Sequence, residues 1–325
     1  MNVDAASSPH TSPGVRDLLN KYNLRPRKGL GQNFLADPNI LRKIVEAADL
    51  TPDATVLEIG PGLGMLTRFL SQAAGRVVAV ELDEALFGLL RQELSDLPNL
   101  ELVQGDILQL DVGELVKYQI SNDKYQISDP TGRLRSQPSH GEASLSAASG
   151  QESSISNLQS PSYTVVANLP YYITSAAIRH VQEANPPPQR IVLTVQREVA
   201  ERIVAAPGEL SLLAVSVQFY GRPRIVARIP AGAFVPPPKV DSAVVRIDTH
   251  PAPPVEVADV KAFFRVVRAG FGQKRKQIKN SLAAGLGLPG GEAAAVLARA
   301  GIDPQRRAQT LSLAEWAGLT REIYE

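Results

Sequence analysis

At 325 residues and 44% hydrophobic content, the chain has material for a substantial core in one large domain with an appendage, or in two domains, while a net charge of +1 says nothing about partners. The absence of cysteine excludes disulfides and thiolate metal sites, and His10, His140, His180 and His250 are too dispersed in sequence for a local ligand pair, so no metal is expected. No run approaches the roughly 18 apolar residues of a membrane helix, and the polar start Met1–Gly14 lacks the apolar stretch of a secretory signal, so the expectation is a soluble cytoplasmic protein with no membrane partner.

Residues 1–20 read as disordered, and the first 14 carry no apolar periodicity. A basic stretch, Lys21–Lys28, leads into Gly29-Leu-Gly-Gln-Asn-Phe-Leu35, by itself a polar turn. Asp37-Pro38 then opens a helix with Ile40, Leu41, Ile44, Val45 and Ala48 at helical spacing. Ala54–Gly60 reads as a buried strand and Met65–Ala74 as a helix. Between them lies Glu58-Ile-Gly60-Pro-Gly62-Leu-Gly64. Such a strand-to-helix switch sits at the carboxyl edge of an α/β sheet, where glycines let backbone approach a ligand. Two cofactors fit that geometry. A dinucleotide loop usually runs GxGxxG; here the spacing is GxGxG, with an acid two residues before the first glycine. That form suits S-adenosyl-L-methionine, which has no pyrophosphate to cradle.

Arg76–Leu82 is the second strand, Asp83–Leu97 the second helix and Leu100–Asp106 the third strand. Glu81 lies 21 residues after Gly60, where a carboxylate accepts hydrogen bonds from ribose hydroxyls. Asp83 reads as the N-cap of the following helix. Asp106 is a candidate acceptor for the cofactor's adenine amino group, or a plain turn residue. Residues 117–162 are rich in Ser, Gln, Asn and Gly, with Lys-Tyr-Gln-Ile-Ser at 117–121 and again at 124–128, and are expected to form a disordered surface insertion.

The sheet resumes at Tyr163–Leu169, followed by Asn168-Leu169-Pro170-Tyr171. Alone, this tetrapeptide is a strand-ending turn. After a nucleotide-binding βαβαβ unit it has a chemical use. An adenine 6-amino nitrogen is a poor nucleophile, because its lone pair is delocalised into the ring. It needs acceptors for its hydrogens, which the Asn168 side-chain oxygen and the carbonyl of Leu169 or Pro170 supply. Tyr171 offers a face for a splayed-out base. Arg190–Gln196 is a fifth strand, Glu198–Ala206 a helix and Leu210–Tyr220 of ambiguous type. Strands are expected at Arg224–Ile229 and Val240–Asp248, joined by a Pro-rich turn that offers Phe234 as a second aromatic wall and Lys239 as a phosphate contact.

Pro251–Pro254 reads as a linker, and 255–325 as a small all-α domain. From Gly221 to Leu282 there are 12 Lys/Arg against 4 Asp/Glu. Lys261–Leu282 holds seven basic residues and no acidic one: Lys261, Arg265, Arg268, Lys274, Arg275, Lys276 and Lys279. A basic amphipathic pair of helices beside an adenine pocket points to RNA phosphate, with Arg25, Arg27 and Lys28 as an extension.

Taken in order, Leu30–Leu35, Glu58–Gly64, Glu81-Leu-Asp83, Gly105-Asp106, Asn168–Tyr171, Val195–Glu198, Phe234–Val245, Phe271–Leu282 and Arg307–Trp316 resemble the ribosomal RNA adenine dimethyltransferases, in particular their bacterial small-subunit branch. The resemblance runs from about Tyr22 to Tyr324 apart from the insertion. It implies an α/β fold: a Rossmann-like, seven-stranded S-adenosylmethionine methyltransferase sheet over 21–250 and a C-terminal helical RNA-binding domain. It implies dimethylation of two adjacent adenines in a hairpin loop near the 3′ end of small-subunit rRNA, on the immature small ribosomal subunit, by a monomer. The cofactor contacts it implies are Asn33, Leu35, Gly60, Glu81, Asp106 and Asn168, with Gln32 beside them; Gly62 and Gly64 complete the loop. Two departures stand out: the insertion, and a shortened segment at Pro207–Leu210 that puts RNA contacts there in doubt. Rival readings are a large-subunit rRNA adenine methylase, a nicotinamide-dependent oxidoreductase and a non-catalytic ribosome assembly factor.

Overall fold

The computed structural model describes residues 14–117, 125–128, 134–136 and 162–324. The chain starts with helix α1 (Val15–Lys21), the two-residue strand β1 (Phe34–Leu35) and helix α2 (Pro38–Ala48). Asp37 caps α2 by accepting from Asn39 N at 2.8 Å, with Pro38 in the first turn as its fixed φ allows. Then come β2 (Thr55–Ile59), α3 (Met65–Ala73), β3 (Arg76–Glu81), α4 (Glu84–Glu93), β4 (Leu100–Gln104) and α5 (Val112–Lys117). Two short strands follow, β5 (Tyr125–Ser128) and β6 (Leu134–Ser136). The chain continues through β7 (Tyr163–Asn168), α6 (Thr174–Gln182), β8 (Arg190–Gln196), α7 (Arg197–Ile203), α8 (Leu212–Tyr220), β9 (Gly221–Ile229), β10 (Phe234–Val235) and β11 (Ser242–Thr249).

The strands form a sheet in the order β6-β5-β4-β3-β2-β7-β8-β11-β9. The pairs from β5 through β8 are parallel, while β5–β6, β8–β11 and β11–β9 are antiparallel. Parallel strands covered on both faces need near-continuous apolar runs; Val77–Val80 and Ile191–Leu193 supply them and are buried throughout. From β2 the chain runs outward to β3 and β4, then returns to β7 on the other side of β2. That reversal opens a crevice beyond the carboxyl ends of β2 and β7. Helix α2 is fastened to the sheet by two arginines at its carbonyl end: Arg190 donates to Ala48 O at 2.6 Å and Arg246 to Ala47 O at 3.1 Å, and both guanidinium groups pair with Asp248.

Three expectations need correction. The reading of 1–20 as disordered fails at its end, because Val15, Leu18 and Leu19 stand at i, i+3 and i+4 and bury one face of α1 in the core; residues 1–13 lie outside the described residues. The insertion is not wholly without structure. The second Lys-Tyr-Gln-Ile-Ser copy contributes Tyr125–Ser128, paired in parallel with Leu102–Gln104. A β-prone Tyr-Gln-Ile segment and the open edge of β4 satisfy each other. The remaining 118–124, 129–133 and 137–161 lie outside the described residues. The implied seven-stranded sheet is therefore present with two added edge strands. Residues 212–220, ambiguous in sequence, form a helix capped by Ser211 Oγ, which accepts from Ala214 N at 3.1 Å.

The C-terminal helices are α9 (Val260–Phe271), α10 (Ile278–Leu286), α11 (Gly290–Arg299) and α12 (Leu313–Tyr324). Their core contains Phe263, Phe264, Leu282, Leu297 and the fully buried Trp316, and it also includes Leu210, Val215 and Phe219 from before the expected linker. The Phe219 ring stacks on Phe263 at 4.9 Å and meets Phe264 edge-on at 5.3 Å. The shortened Pro207–Leu210 segment is a clasp: Gly208 N and Leu210 N donate to Gln309 O at 2.9 and 3.1 Å, and Gln309 Nε2 returns a bond to Gly208 O at 2.9 Å. Among the described residues no single helix is long and apolar enough to cross a membrane.

Candidate functional site

The crevice at the sheet reversal is a cleft with three walls. The β2–α3 loop supplies Gly60 to Leu63, and the ends of β3 and β4 supply Glu81, Leu82, Asp106 and Ile107. The β7–α6 loop supplies Asn168 to Ile173. A flap from 30 to 35 closes the third side, held by β1–β10 pairing in which Leu35 faces Phe234 and Ala36 N donates to Ala233 O at 2.9 Å. That pairing places Gln32, Asn33, Leu35 and Phe234 on one wall, a proximity that no local motif could reveal.

Of the three loop glycines, Gly60 and Gly62 line the cleft with φ of 71° and 61°. At Gly62 a β-carbon would also stand 3.0 Å from the Phe34 ring, so only glycine keeps the loop close under the flap. Gly64, expected among the cofactor contacts, does not line the cleft. It starts α3 at φ 78°, and a β-carbon there would stand 2.9 Å from Leu94 and 3.1 Å from Leu90. Its role is packing α3 against α4.

Glu81 is 6% exposed, and its two oxygens accept from Gly62 N (3.1 Å) and Asp83 N (2.8 Å). A carboxylate has about four acceptor sites, so it still has capacity for a diol. Burial pushes its pKa up to about 7, against the lowering effect of those amides. Asp83 is the N-cap expected, accepting from Ala85 N at 2.9 Å, and it also accepts from Gln32 Nε2 at 2.9 Å and pairs with Arg27 at 3.2 Å. Arg27, expected to extend an RNA surface, thus works as a brace between flap and sheet. Gln32 both lines the cleft and ties the flap, since its Oε1 accepts from Arg27 N at 2.8 Å.

Glu58 is 1% exposed on the cleft floor, and burial, with Glu81 nearby, pushes its pKa up to about 8. Its Oε2 and the neighbouring Thr67 hydroxyl have no hydrogen-bond partner among the described residues. With its pKa raised to about 8 against the lowering effect of the adjacent Thr67 hydroxyl, Glu58 is mostly protonated near pH 7, so the pair is a neutral polar spot under the cleft. Together with the Glu81 carboxylate and the apolar side chains of Leu82 and Ile107, it gives the cleft the mixed polar and apolar lining that suits a nucleoside-bearing cofactor.

At the acceptor end, Asn168 Nδ2 donates to Asn33 O at 3.3 Å, which leaves its side-chain oxygen to accept. Pro170 O already receives Ile173 N and the Thr174 hydroxyl, at 3.2 and 3.4 Å. The Leu169 carbonyl, free of any described hydrogen bond, is the better second acceptor. The Tyr171 hydroxyl is bonded to Ser242 Oγ at 2.9 Å, which fixes a half-buried ring beside Asn168. Phe234 lines the cleft but is only 2% exposed. Asp106 Oδ1 makes the expected turn bond to Leu108 N at 3.0 Å, and the residue lines the cleft. Sequence reasoning gave no role to Leu82 (50% exposed), Ile107, Tyr172 or the Ser242 tether; Leu82 and Ser242 lie inside quoted motifs and Ile107 and Tyr172 just beyond them, but what each does follows only from where the fold leaves it.

None of the six basic residues expected to bind RNA lines this cleft. Arg265 and Arg268 project from one face of α9 into a concavity shared with Lys261 and Arg321, while Lys274, Arg275 and Lys276 are exposed in the α9–α10 turn and Lys279 follows on α10. None of the six forms an ion pair among those described.

The family model for ribosomal RNA adenine dimethylase matches residues 23–325. Ribosomal RNA small subunit methyltransferase A of Pelotomaculum thermopropionicum is 43% identical over 309 residues, covering 94% of each chain. The same-named protein of Dehalococcoides mccartyi strain CBDB1 is 41% identical over 317 residues, 98% of this chain and 95% of that one. Among solved structures, the 23S rRNA methyltransferase ErmE is 27% identical with a TM-score of 0.60, over 90% of this chain and all of that one. A dimethyladenosine transferase from Plasmodium falciparum, at 23% identity and TM-score 0.62 over 88% of this chain and 95% of that one, shares the fold. With a glycine loop, a diol-ready carboxylate and an Asn-Leu-Pro-Tyr acceptor around one cleft, and relatives matching over almost its whole length, the chain belongs to the ribosomal RNA adenine dimethylase family.

Proposed function

We propose that the protein transfers methyl groups from S-adenosyl-L-methionine to the 6-amino groups of two adjacent adenines in a hairpin loop near the 3′ end of small-subunit rRNA, acting on the immature subunit as a cytoplasmic monomer. The observation that carries this reading is the Asn33–Asn168 contact. It uses one amide hydrogen of Asn168 on the flap, which orients the group so that its amide oxygen is left for the acceptor amine.

When bound, the cofactor supplies an electrophilic methyl group on a sulfonium. Glu81 accepts its ribose hydroxyls, Asp106 its adenine amino group, and Gly60, Gly62, Asn33 and Leu35 enclose it. The Asn168 oxygen and the Leu169 carbonyl hold the two hydrogens of the target amine. That draws the nitrogen lone pair out of conjugation and lines it up for in-line attack. Tyr171, fixed through Ser242, stacks the flipped base, with Phe234 behind it. The exposed cations Arg265, Arg268, Lys274, Arg275 and Lys276, with the partly exposed Lys279, hold phosphates, which sets orientation without reading sequence.

The test is methyl transfer from labelled cofactor to immature small subunits lacking these modifications, with digestion and mass spectrometry of the RNA. Wild type should yield dimethyladenosine, and Asn168→Ala should lose about a hundredfold or more in rate while binding cofactor normally. Transfer to naked large-subunit RNA instead would give the function to the ErmE-like reading, and cofactor binding without transfer to either RNA would leave an assembly factor.

A further inference from the structure

The mouth of the cleft carries an aromatic ring that this chemistry does not use. Tyr172 is 60% exposed, the most exposed large hydrophobic side chain among the described residues, yet it lines the same cleft as Asn168 and Tyr171. Its neighbour Tyr171 is tethered and half-buried, whereas the Tyr172 hydroxyl has no hydrogen bond among the described residues. The flap nevertheless runs close beside the ring. Its Cδ1 lies 3.8 Å from where a β-carbon at Gly31 would stand, and that same position is 3.3 Å from Pro170 Cβ. Gly31, with φ of 62° at the end of the short turn Lys28–Leu30, therefore lets the flap pass tightly beside the ring while the rest of it stays in water.

A flat ring held at the rim of a base pocket has an evident chemical complement. Flipping one base out of a strand strips the neighbouring base of a stacking partner. A rim aromatic replaces what is lost, and it does so for any base, since every base has a π-face. We propose that Tyr172 is the stacking platform for the nucleotide adjoining the one in the pocket, so that consecutive tyrosines hold consecutive adenines, Tyr171 inside and Tyr172 at the rim. The inference rests on the proposed reaction. It adds that the adenine waiting its turn, or already dimethylated, is held by the protein rather than left in solvent. Tyr172 is here a positioning residue and makes no contact with the reacting atoms.

The experiment compares wild type, Tyr172→Phe and Tyr172→Ala on immature small subunits. Dimethylation at each of the two adenines is quantified by mass spectrometry, and cofactor affinity and melting temperature are measured for each variant. Tyr172→Ala should raise KM for the subunit about tenfold, with kcat far less affected and both cofactor affinity and melting temperature unchanged. Tyr172→Phe should match wild type, because the ring and not the hydroxyl acts. The inference is overturned if the alanine variant matches an active wild type in KM, or if the phenylalanine variant is as impaired as alanine. A wild type that methylates neither adenine overturns the proposed reaction and this inference with it, which separates the two failures.

Discussion

At the residue scale the decisive group is Glu81. Its oxygens accept from the Gly62 and Asp83 amides while the residue lines the cleft, and burial holds its pKa at about 7. Ribose hydroxyls bond best to the ionised carboxylate, so binding favours deprotonation and affinity must rise with pH through 7. Calorimetric titration of S-adenosylmethionine should show the dissociation constant weakening several-fold from pH 8 to pH 6, and Glu81→Gln should be weak at both and nearly flat; a wild-type affinity constant across that range would refute the assignment. The sign for folding is opposite. Glu58 and Glu81 have folded pKa values raised to about 8 and 7, so the stability they contribute to the free protein is present below about pH 4.5 and lost as pH rises through 7 to 8. Glu81 was legible in the sequence because its place, ending a strand 21 residues after Gly60, is set by local periodicity. The difference between Tyr171 and Tyr172 was not. Two adjacent tyrosines read alike, and only the partner Ser242, some 70 residues on, decides which is fixed.

At the element scale, the added strands β5 and β6 extend the sheet beyond β4 on the side away from β2 and β7. The cleft is lined from β2, β3, β4 and β7 and their loops, and neither of the described pieces 125–128 and 134–136 takes part. Joining 117 to 162 through a short linker should therefore leave cofactor affinity within about twofold of wild type by calorimetry, and a tenfold loss would show that the edge strands brace Asp106. The parallel strands were readable from apolar runs alternating with helical periodicity, whereas their order in the sheet was not. What escaped were α1 and β5, each under eight residues long, whose formation depends on a surface offered by the rest of the chain rather than on composition. Gly64 was placed in the correct loop but given the wrong task, since packing against Leu90 and Leu94 has no signature in a GxGxG spacing.

At the scale of the whole molecule, the Pro-rich stretch 251–254 suggested two separable domains, whereas α8 shares its apolar core with α9 to α12. A chain ending at residue 254 should then bind hydrophobic dyes and aggregate, with Phe219 and Val215 uncovered; a soluble fragment with an undiminished melting temperature would show the C-terminal helices to be an accessory. The basic residues were legible as a cluster, and their arrangement as a protruding turn was not. Replacing Lys274, Arg275 and Lys276 together with alanine should weaken RNA binding at low salt and reduce the slope of log affinity against log salt by about two, without altering cofactor affinity. An unchanged slope would remove that turn from the RNA surface.

The clasp between Gly208 and Gln309 gives the molecule the character of a caliper. One jaw is the cleft, the other the cationic turn, and between them stand the bonded clasp and the stacked aromatic core that joins α8 to the C-terminal helices. On the proposed function, such an arrangement would let the enzyme recognise its target by how far apart two features lie on a folded particle. A hairpin of the correct sequence, cut free of the particle, satisfies only one jaw and should be methylated slowly however well its adenines fit.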